Sequence, residues 1–388
     1  MPPIANHARR CSPQPSGSPV PVPQVKTSKV CSLLHPLKEW SLRQIRGGSV
    51  RHQGQIGGDA SALWRAVRKL ESSRRQLVFV YEAGPCGFGI YRGLIERGHE
   101  CWVVAPSNIP RRVRDRIKTD RRDSVKLAGL ARAGELTPIY VPDMADEAMR
   151  DLVRAREDAV VMQRQARQRL SALLLRNDVR YTGKTTWTAA HRRWIADIQL
   201  PQQARRLAFE EYVQAIEEAT MRVARLTRYI EQEVLHWRWL PVVNALQACR
   251  GIQLIHAVRI VAEVGDLSRF SHPRQLMSYL GLIPSETSSG ERRRQGSITK
   301  AGNSSARRAL VEAAWAYQYM AKVSGLIARR QVKAPKVALD IAWKAQVRLC
   351  TRFRRLTARG VSRHKIVVAI ARELAGFVWA IGQQVKPV

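Results

Sequence analysis

Short, continuous apolar runs mark the first third of the chain. Residues 77–81 and 101–105 are two such runs, and a segment with helical spacing over residues 87–97 separates them. Runs of this length are typical of strands buried on both faces, and the strand–helix–strand order favours a largely parallel sheet. Residues 49–56 predict a further strand, which Asp59 follows as the N-cap of a helix. The first domain is therefore predicted to be α/β.

The pattern turns helical after the second apolar run. Helical segments are predicted at residues 120–133, 145–175 and 201–237, and a further helical region at residues 246–316 and from 337 onward. The second and third of these segments are long and rich in Arg, Glu, Gln and Ala. They predict an antiparallel or intersubunit helical hairpin.

Residues 1–48 show neither helical nor strand periodicity. They hold eight of the 19 prolines and one acid, Glu39. This composition is typical of a segment that cannot bury enough apolar surface to fold. We therefore predict a disordered, non-native N-terminal stretch.

The charge of the chain narrows the class of function. It carries 66 Lys and Arg against 31 Asp and Glu, a formal net charge of +35, with 45% hydrophobic residues. A folded protein with a polyanionic partner is predicted. Six scattered cysteines without a C-x-x-C pair favour neither a zinc ribbon nor a disulfide framework, so a cytoplasmic location is expected. The apolar stretch at residues 366–381 is shorter than a bilayer span, and no membrane segment is predicted.

Three acids are candidates for a shared metal site. Glu82 follows a buried strand, where side chains emerge at the edge of a parallel sheet, and Asp120 and Asp123 share a face if a helix starts there. Three carboxylates at one edge suit Mg²⁺ or Mn²⁺ and phosphodiester chemistry. In the alternative interpretation Asp120 is an N-cap, Asp123 is its N3 partner and Glu82 is a solvated acid. Spacing alone favours this alternative.

Residues 284–303 combine glycines, hydroxyls and cations, and lead into two further arginines. Glycine permits close backbone approach, while the hydroxyls and cations are groups that contact phosphate. The cations predicted to contact phosphate are Arg292, Arg293, Arg294, Lys300, Arg307 and Arg308. A serine in this segment is a candidate nucleophile on phosphorus, and a non-catalytic phosphate-binding loop is the alternative that composition favours.

Two further segments have features of nucleic-acid binding. Residues 246–257 look like a helix-hairpin-helix, in which the turn at Gly251 would offer backbone N–H groups to a nucleic-acid backbone. A second glycine is usual where Gln253 stands, and an ordinary helix-turn-helix packing unit is the alternative. Residues 191–194 and 236–239 interleave rings with cations. These rings either stack on unpaired bases or, as is more common, belong to the core.

Taken together, three segments resemble the transposases of the insertion-sequence 110 family. They are residues 81–87, residues 118–123 and the loop from residue 289 to residue 303, and the resemblance covers about residue 50 to the C-terminus. It implies an RNase H-like (RuvC-like) first domain with a DEDD metal site, and a transposase domain that supplies a serine. It also implies a structured guide RNA, a homo-oligomer and a nucleoid-associated location.

The resemblance assigns roles to individual residues. Glu82, Asp120 and Asp123 would be metal ligands for Mg²⁺ or Mn²⁺ and part of the catalytic site, and Ser289 would be the nucleophile. Ser288 and Ser297 remain alternatives to Ser289.

The implied division of the chain follows the same resemblance. It comprises residues 1–48 (disordered), 49–144 (RuvC-like, with the first strand missing), 145–240 (helical hairpin), 241–330 (transposase domain with a helix-hairpin-helix and the Ser-Gly loop) and 331–388 (C-terminal helices).

One difference from the family pattern concerns a residue that the metal site would need. The family's first aspartate is expected on the opening strand, yet no aspartate precedes Asp59. We expect a DNA transposase or recombinase that acts by metal-assisted, serine-dependent strand cleavage and rejoining. An inactive nucleic-acid-binding remnant and a structure-selective junction nuclease are the alternatives.

The net charge of +35 leads to a first prediction. Because cationic side chains displace counterions from phosphates, the logarithm of the affinity for DNA should fall linearly as the logarithm of salt concentration rises. Fluorescence-anisotropy titrations of a labelled duplex over a salt series measure the slope. An affinity that does not change with salt would contradict a phosphate-based interface.

Overall fold

The computed structural model describes residues 29–34, 39–46, 49–57, 59–71, 77–110, 120–289 and 292–388. The chain divides into two compact units, Met1–Val141 and Pro142–Val388.

In the described residues, the first unit contains five strands and three α-helices. In chain order they are β1 (Lys29–Leu34), β2 (Glu39–Arg46), β3 (Ser49–Gly57), α1 (Ala60–Glu71), β4 (Leu77–Glu82), α2 (Gly89–Glu96), β5 (Glu100–Val104) and α3 (Asp120–Ala133). Asp59 caps α1 through a hydrogen bond of 2.8 Å from the Ala62 backbone N–H to its carboxylate, as the sequence predicts.

The strands form one mixed sheet in the order β3-β2-β1-β4-β5. Strand β4 lies parallel to β1 and β5, which confirms the α/β prediction. The expectation of a largely parallel sheet is wrong for the other half, because β1, β2 and β3 pair antiparallel. Their connections are only four and two residues long, and links this short join antiparallel neighbours, whereas parallel strands need a long crossover.

The prediction of a disordered segment up to residue 48 is wrong for β1 and β2. Seven of the eight prolines precede residue 24, and Pro36 falls between the two strands, so the strands themselves are free of proline. Composition averaged over the whole segment concealed this difference. Strand β1 is the neighbour of β4, so the opening strand is present. Residues 1–28 lie outside the described part of the chain.

Helices cover both faces of the sheet in the first unit. On one face Phe79 and Tyr81 of β4 pack with Leu63 of α1 and with α2. On the other face the alternate residues of β4, Val78 and Val80, pack with the buried side of α3. Every residue of β4 before its last is therefore buried, which explains the continuous apolar run.

The second unit is mainly helical and contains one two-stranded hairpin. Its elements are α4 (Met144–Arg176), α5 (Ala189–Ala196), α6 (Gln203–Glu233), α7 (Leu240–Leu246), α8 (Leu254–Val264), α9 (Pro273–Tyr279), β6 (Pro284–Ser289), β7 (Arg292–Ile298), α10 (Ser304–Ala314), α11 (Gly325–Gln331), α12 (Lys336–Ala358) and α13 (Arg363–Gln384).

The long helices α4 and α6 pack against each other in antiparallel order. Arg156 Nε donates to Thr227 Oγ1 at 2.7 Å, and seven residues further along α4, Gln163 Nε2 donates to Thr220 Oγ1 at 2.9 Å. The partner number falls by seven as the donor number rises by seven, as expected of antiparallel helices. The predicted hairpin therefore forms within one chain.

Helix α13 is long and apolar enough to cross a membrane, the one such helix in the described residues. Its apolar stripe of Ile366, Ile370, Leu374 and Val378 is completely buried in the core of this unit, which also contains α7, α8, α10 and α12. Packing in a protein core therefore accounts for its composition.

Two aromatic motifs belong to the protein interior. Trp237 and Trp239 are buried, and both indole N–H groups donate to the buried carboxylate of Asp146 at the start of α4. His191 is also buried. For Trp237, Trp239 and His191, the structure therefore agrees with the alternative in which the rings belong to the core and do not stack on bases.

Gly251 lies in the turn between α7 and α8 with a φ of +82°. A Cβ atom at this position would lie 2.2 Å from the backbone oxygen of Ala313 in α10. Helix packing therefore requires glycine here, whatever else the turn contacts.

Gly251→Ala should lower the free energy of unfolding by about 2–4 kcal/mol, because the new Cβ meets a backbone oxygen in a strained conformation. Gly360→Ala is the matched control, since Gly360 has a φ of +70° with no atom near its Cβ position. It should cost about 1–2 kcal/mol. Denaturant unfolding measures both, and equal losses would contradict the packing role.

Candidate active site

Glu82 is the last residue of β4 and lies at the carboxyl end of the strand, as predicted. Side chains alternate along a strand, and Val78 and Val80 face α3. Glu82 continues this set, and its side chain is partly buried. The carboxylate therefore emerges at the edge of the sheet on the α3 side.

Helix α3 is described from Asp120 onward, and the residues just before it lie outside the described part of the chain. Ser124 and Leu127 belong to its buried side, and Leu127 packs with the α3 face of β4. Asp123 lies beside Ser124 in the first turn and is partly buried. Asp120 is one turn before Ser124 in the helix, although its side chain is outside the described part of the structure. Glu82 and the first turn of α3 thus border the same layer.

The three-acid metal site remains a prediction. Among the described side chains, no group of three or more His, Cys, Asp or Glu residues could hold a metal ion. The third expected member, the Asp120 carboxylate, is not among those side chains. Carboxylates are hard oxygen donors, so the type of donor at this edge fits Mg²⁺ or Mn²⁺.

Strand β1 is the place beside β4 where a further ligand would be expected. Ser32 pairs with Val80, and Leu33 pairs with Tyr81. The six residues of β1, Lys-Val-Cys-Ser-Leu-Leu, include no acid. The strand is therefore present without the carboxylate that the resemblance implies.

The candidate nucleophile belongs to the hairpin of β6 and β7. The backbone register pairs Ser289 with Arg292, Ser288 with Arg293 and Thr287 with Arg294. Each of the three hydroxyl residues is thus opposite an arginine across the ladder. The side chains of these residues are outside the described part, so Ser289 stays a prediction. Ser297, the third candidate, is exposed on β7.

The base of this hairpin is anchored by close backbone contact. A Cβ at Gly281 would lie 2.1 Å from the Ala301 oxygen, and a Cβ at Gly302 would lie 2.0 Å from the Tyr279 oxygen. Both glycines have positive φ, as does the exposed Lys300, at +56°. Lys300 donates its backbone N–H to the Gly281 oxygen at 3.1 Å. The glycines therefore allow two chain segments to touch where the strands begin and end.

Glu263 lies behind this base and is almost completely buried. Its carboxylate accepts two hydrogen bonds from Arg154 of α4, at 2.8 and 3.0 Å, and one from Asn303 Nδ2 at 2.7 Å. Burial acts to raise the pKa of Glu263, but the hydrogen bonds from Arg154 and Asn303 outweigh it and hold the pKa below its usual range. Asn303 also caps α10 through the Ala306 N–H. One carboxylate thus joins α4, α8 and the end of the hairpin.

Two of the cations predicted to bind DNA have partners within the protein. Arg307 donates to the Leu280 backbone oxygen at 2.8 Å, and Arg308 donates to Glu157 at 3.2 Å. Both side chains therefore also support the folded loop. Their contact with DNA stays a prediction, as does that of Gly251.

A second network, centred on the partly buried Glu157 and the buried Arg259, was not foreseen from the sequence. Glu157 of α4 forms an ion pair with Arg259 of α8 and accepts from Ser305 Oγ at 2.9 Å. Arg259 also pairs with Glu312 at 3.3 Å. In the sequence Glu157 is one of many charged residues of α4, and no local pattern distinguishes it from a solvent-exposed glutamate.

Comparisons with known proteins agree with the resemblance. Residues 243–327 match the model of the family described as "Transposase IS116/IS110/IS902 family", and residues 44–177 match a DEDD-type model of the same insertion sequences, described as "Transposase". The protein named "Putative transposase y4qE" from Sinorhizobium fredii is 45% identical over 88% of this chain and 84% of its own length. The "Transposase for insertion sequence element IS1533" from Leptospira borgpetersenii is 28% identical over 78% and 88%.

The Glu263 contacts predict a stability that depends on pH. Glu263→Gln should lower the free energy of unfolding by about 2 kcal/mol at neutral pH, because Arg154 loses its charged acceptor. The folded-state pKa of Glu263 is lowered, so this stabilisation is present above the ordinary pKa of 4.5 and is lost as pH falls through the folded-state value. The free energies of unfolding of the wild type and of Glu263→Gln, measured at several pH values, should therefore become equal in acid.

Glu217→Gln is the control for this prediction, since Glu217 is exposed on α6. It should change the free energy of unfolding by less than about 0.5 kcal/mol. If Glu263→Gln behaves like this control at neutral pH, the anchoring role of Glu263 is wrong.

Proposed function

Since this chain belongs to the IS110 family of transposases, we propose that it is a DNA recombinase that moves an insertion sequence by metal-assisted, serine-dependent strand cleavage and rejoining. The observation that carries the proposal is the hairpin register, which places an arginine opposite each of three consecutive hydroxyl residues. DNA is its substrate. An RNase H-like fold for the first unit is part of the proposal, and the mixed sheet covered on both faces supports it.

The carboxylates at the sheet edge form the proposed metal site. Glu82, Asp120 and Asp123 would hold Mg²⁺ or Mn²⁺, which when bound polarises phosphodiester oxygens. Glu82 and Asp123 border the layer between β4 and α3 in the first unit. Asp120 lies one helical turn before Ser124 on the same helix. Their oxygen donors are of the kind that these cations prefer.

The serine step exchanges one ester for another. The Oγ of Ser289 attacks a DNA phosphorus and loses its proton, and the bond from phosphorus to a deoxyribose oxygen breaks as that oxygen takes up a proton. A strand hydroxyl then attacks the phosphoserine and restores a phosphodiester. Each step makes one phosphorus–oxygen bond and breaks one, so the exchange needs no external energy source.

The arginines of β7 would stabilise this step. The phosphorus carries extra negative charge in the transition state, and cations held beside it lower the barrier. Arg292 is the register partner of Ser289, which supports such a role for Arg292, whereas Arg293 and Arg294 are the partners of Ser288 and Thr287. Lys300 is exposed at the hairpin base and would extend the cationic surface along the strand.

A structured guide RNA and a homo-oligomer are proposed as partners. The resemblance implies both, and the net charge of +35 supplies a surface suited to a second polyanion. A cytoplasmic, nucleoid-associated location follows from the DNA substrate.

The sequence of β1 favours a second candidate function. The strand beside β4 has no acid, and loss of one ligand weakens binding of a divalent cation. The chain would then be a nucleic-acid-binding remnant that keeps its basic surfaces without cleaving DNA. A structure-selective junction nuclease is the third candidate, and it would form no phosphoserine adduct.

The strand-transfer reaction tests the catalytic assignment. With supercoiled plasmid and Mg²⁺ or Mn²⁺, Ser289→Ala should lower the rate by at least about a thousandfold, since the nucleophile is lost. Glu82→Gln should lower it by at least about a hundredfold. Denaturing gels of labelled DNA should show a covalent protein–DNA adduct with the wild type and none with Ser289→Ala.

Ser297→Ala and Ser288→Ala separate the three serines. Ser297 is exposed on the facing strand, so its removal is the matched control for the loss of a hydroxyl in the same hairpin. An inactive Ser297→Ala beside an active Ser289→Ala would move the nucleophile to Ser297. Binding without cleavage by the wild type with either metal would establish the remnant, and cleavage without an adduct would establish the junction nuclease.

A further inference from the structure

The end of the helical hairpin has a small core of its own. Between α4 and α6, the rings of Tyr181, Trp187 and Trp194 surround the buried His191, with ring centroids 4.6 to 5.4 Å from that of the histidine. Burial lowers the pKa of His191, so the imidazole is neutral at physiological pH. Aromatic packing rather than charge therefore holds this part of the hairpin together.

A groove opens beside this core, between Trp187 and one face of α4. Its volume is about 340 Å³, and its walls are Trp187 and four polar residues of α4: Arg164, Arg167, Gln168 and Ser171. These four follow the spacing i, i+3, i+4 and i+7, so they form a single stripe along the helix. We name these five residues the tip groove.

The polar groups of the tip groove are suited to an anionic ligand. The guanidinium carbon of Arg167 lies 4.8 Å from the centroid of the Trp187 ring. Its Nε is buried and has no hydrogen-bond partner among the described residues. Burial, with a smaller effect of Arg192, lowers the pKa of Arg167. The hydroxyl of Ser171 donates to the Arg167 backbone oxygen at 2.9 Å, so its lone pairs are left to accept.

Trp187 adopts a conformation that is unfavourable for a bulky side chain. Its φ is +65°, in the left-handed region that mostly glycine and asparagine occupy. Strain of this kind is found where a side chain must be held in one place, and here it accompanies a ring that forms one wall of the groove. Trp187 is partly exposed, so part of the ring is accessible to a ligand.

The chain segment that contains the groove is rich in cations. Residues 164–193 include eight Lys and Arg and a single acid, Asp178. An aromatic wall, guanidinium groups and amide and hydroxyl hydrogen-bonding groups are together the features of a site for a single-stranded nucleic acid. A duplex hides its base faces in the stack and would leave the ring unused.

We infer that the tip groove binds an unpaired nucleotide, with the base against Trp187, a hydrogen bond from Gln168 to the base edge, a hydrogen bond from the base edge to the Ser171 hydroxyl, and Arg164 and Arg167 on the flanking phosphates. The inference rests on the proposed function only for the origin of the strand, which is either a loop of RNA or displaced DNA. The binding itself needs neither metal nor the serine.

The double variant Arg164→Gln/Arg167→Gln tests the tip groove. Anisotropy titrations of the full-length protein with labelled oligo(U), oligo(dT) and a DNA duplex, in EDTA at fixed salt, should show about a tenfold or greater loss of affinity for a single strand. The loss for the duplex should be smaller. Thermal melts establish that the variant is folded.

Arg225→Gln/Arg228→Gln is the matched control. Both arginines are exposed on α6 of the same hairpin, with the same three-residue spacing and the same change of charge. An equal loss of single-strand affinity in the two double variants, or an equal loss for single strand and duplex, would overturn the inference and leave only general charge attraction.

Substitutions of Trp187 test the stacking part. Trp187→Ala should weaken single-strand binding, and Trp187→Tyr should restore it, because a tyrosine ring still stacks on a base. Undiminished binding by a folded Trp187→Ala would overturn the role of the ring. A preference for oligo(U) identifies RNA as the occupant, and a preference for oligo(dT) identifies displaced DNA.

Because these titrations exclude metal, they are independent of strand transfer. An inactive protein that still shows the specific single-strand loss keeps the inference and removes the proposed function. If the wild type is active in strand transfer but the double variant shows no specific loss of single-strand affinity, the proposed function stands and the inference about the tip groove is wrong.

Discussion

The buried carboxylate of Glu263 connects α4, α8 and the base of the β6–β7 hairpin in the second unit. It accepts hydrogen bonds from Arg154 on α4 and from Asn303 at the start of α10. A buried charge is tolerated only when such partners are in place, so folding must bring these elements together. The same contacts hold the segment that includes Gly302 against Tyr279. The base of the β6–β7 hairpin is thus anchored by an interaction with α4.

The first unit depends on a different constraint, the alternation of side chains along β4. Residues facing α1 and α2 and residues facing α3 are all apolar until Glu82, where the strand ends and a carboxylate is admitted. An acid one residue earlier would be buried without a partner, at considerable cost. The sheet edge is therefore the first position along this strand where an acid can serve as a ligand. Strand β1 reaches the same region, yet offers serine and leucine there.

Net charge alone overstates the surface available to nucleic acid. Arg154, Arg259 and Arg308 pair with carboxylates, and Arg307 binds a backbone oxygen. Such arginines act in folding, because planar guanidinium groups bind carboxylates and carbonyls in fixed directions. Residues 164–193 differ, since this segment includes eight Lys and Arg and one acid.

The sequence by itself determined the local elements. Continuous apolar runs located β4 and β5, and helical spacing located α3, α4 and α6, because these patterns depend on neighbours within a few residues. Strands β1 and β2 escaped detection because composition was averaged with the prolines before residue 24. Only the tertiary structure decided that Glu263 is buried and Glu157 partly buried while similar glutamates are solvated, that Gly251 and Gly302 touch distant backbone, and that Trp187 faces a stripe of α4. These contacts join residues far apart in sequence, so no local pattern contains them, and the physical reason is that burial is a property of the packed chain.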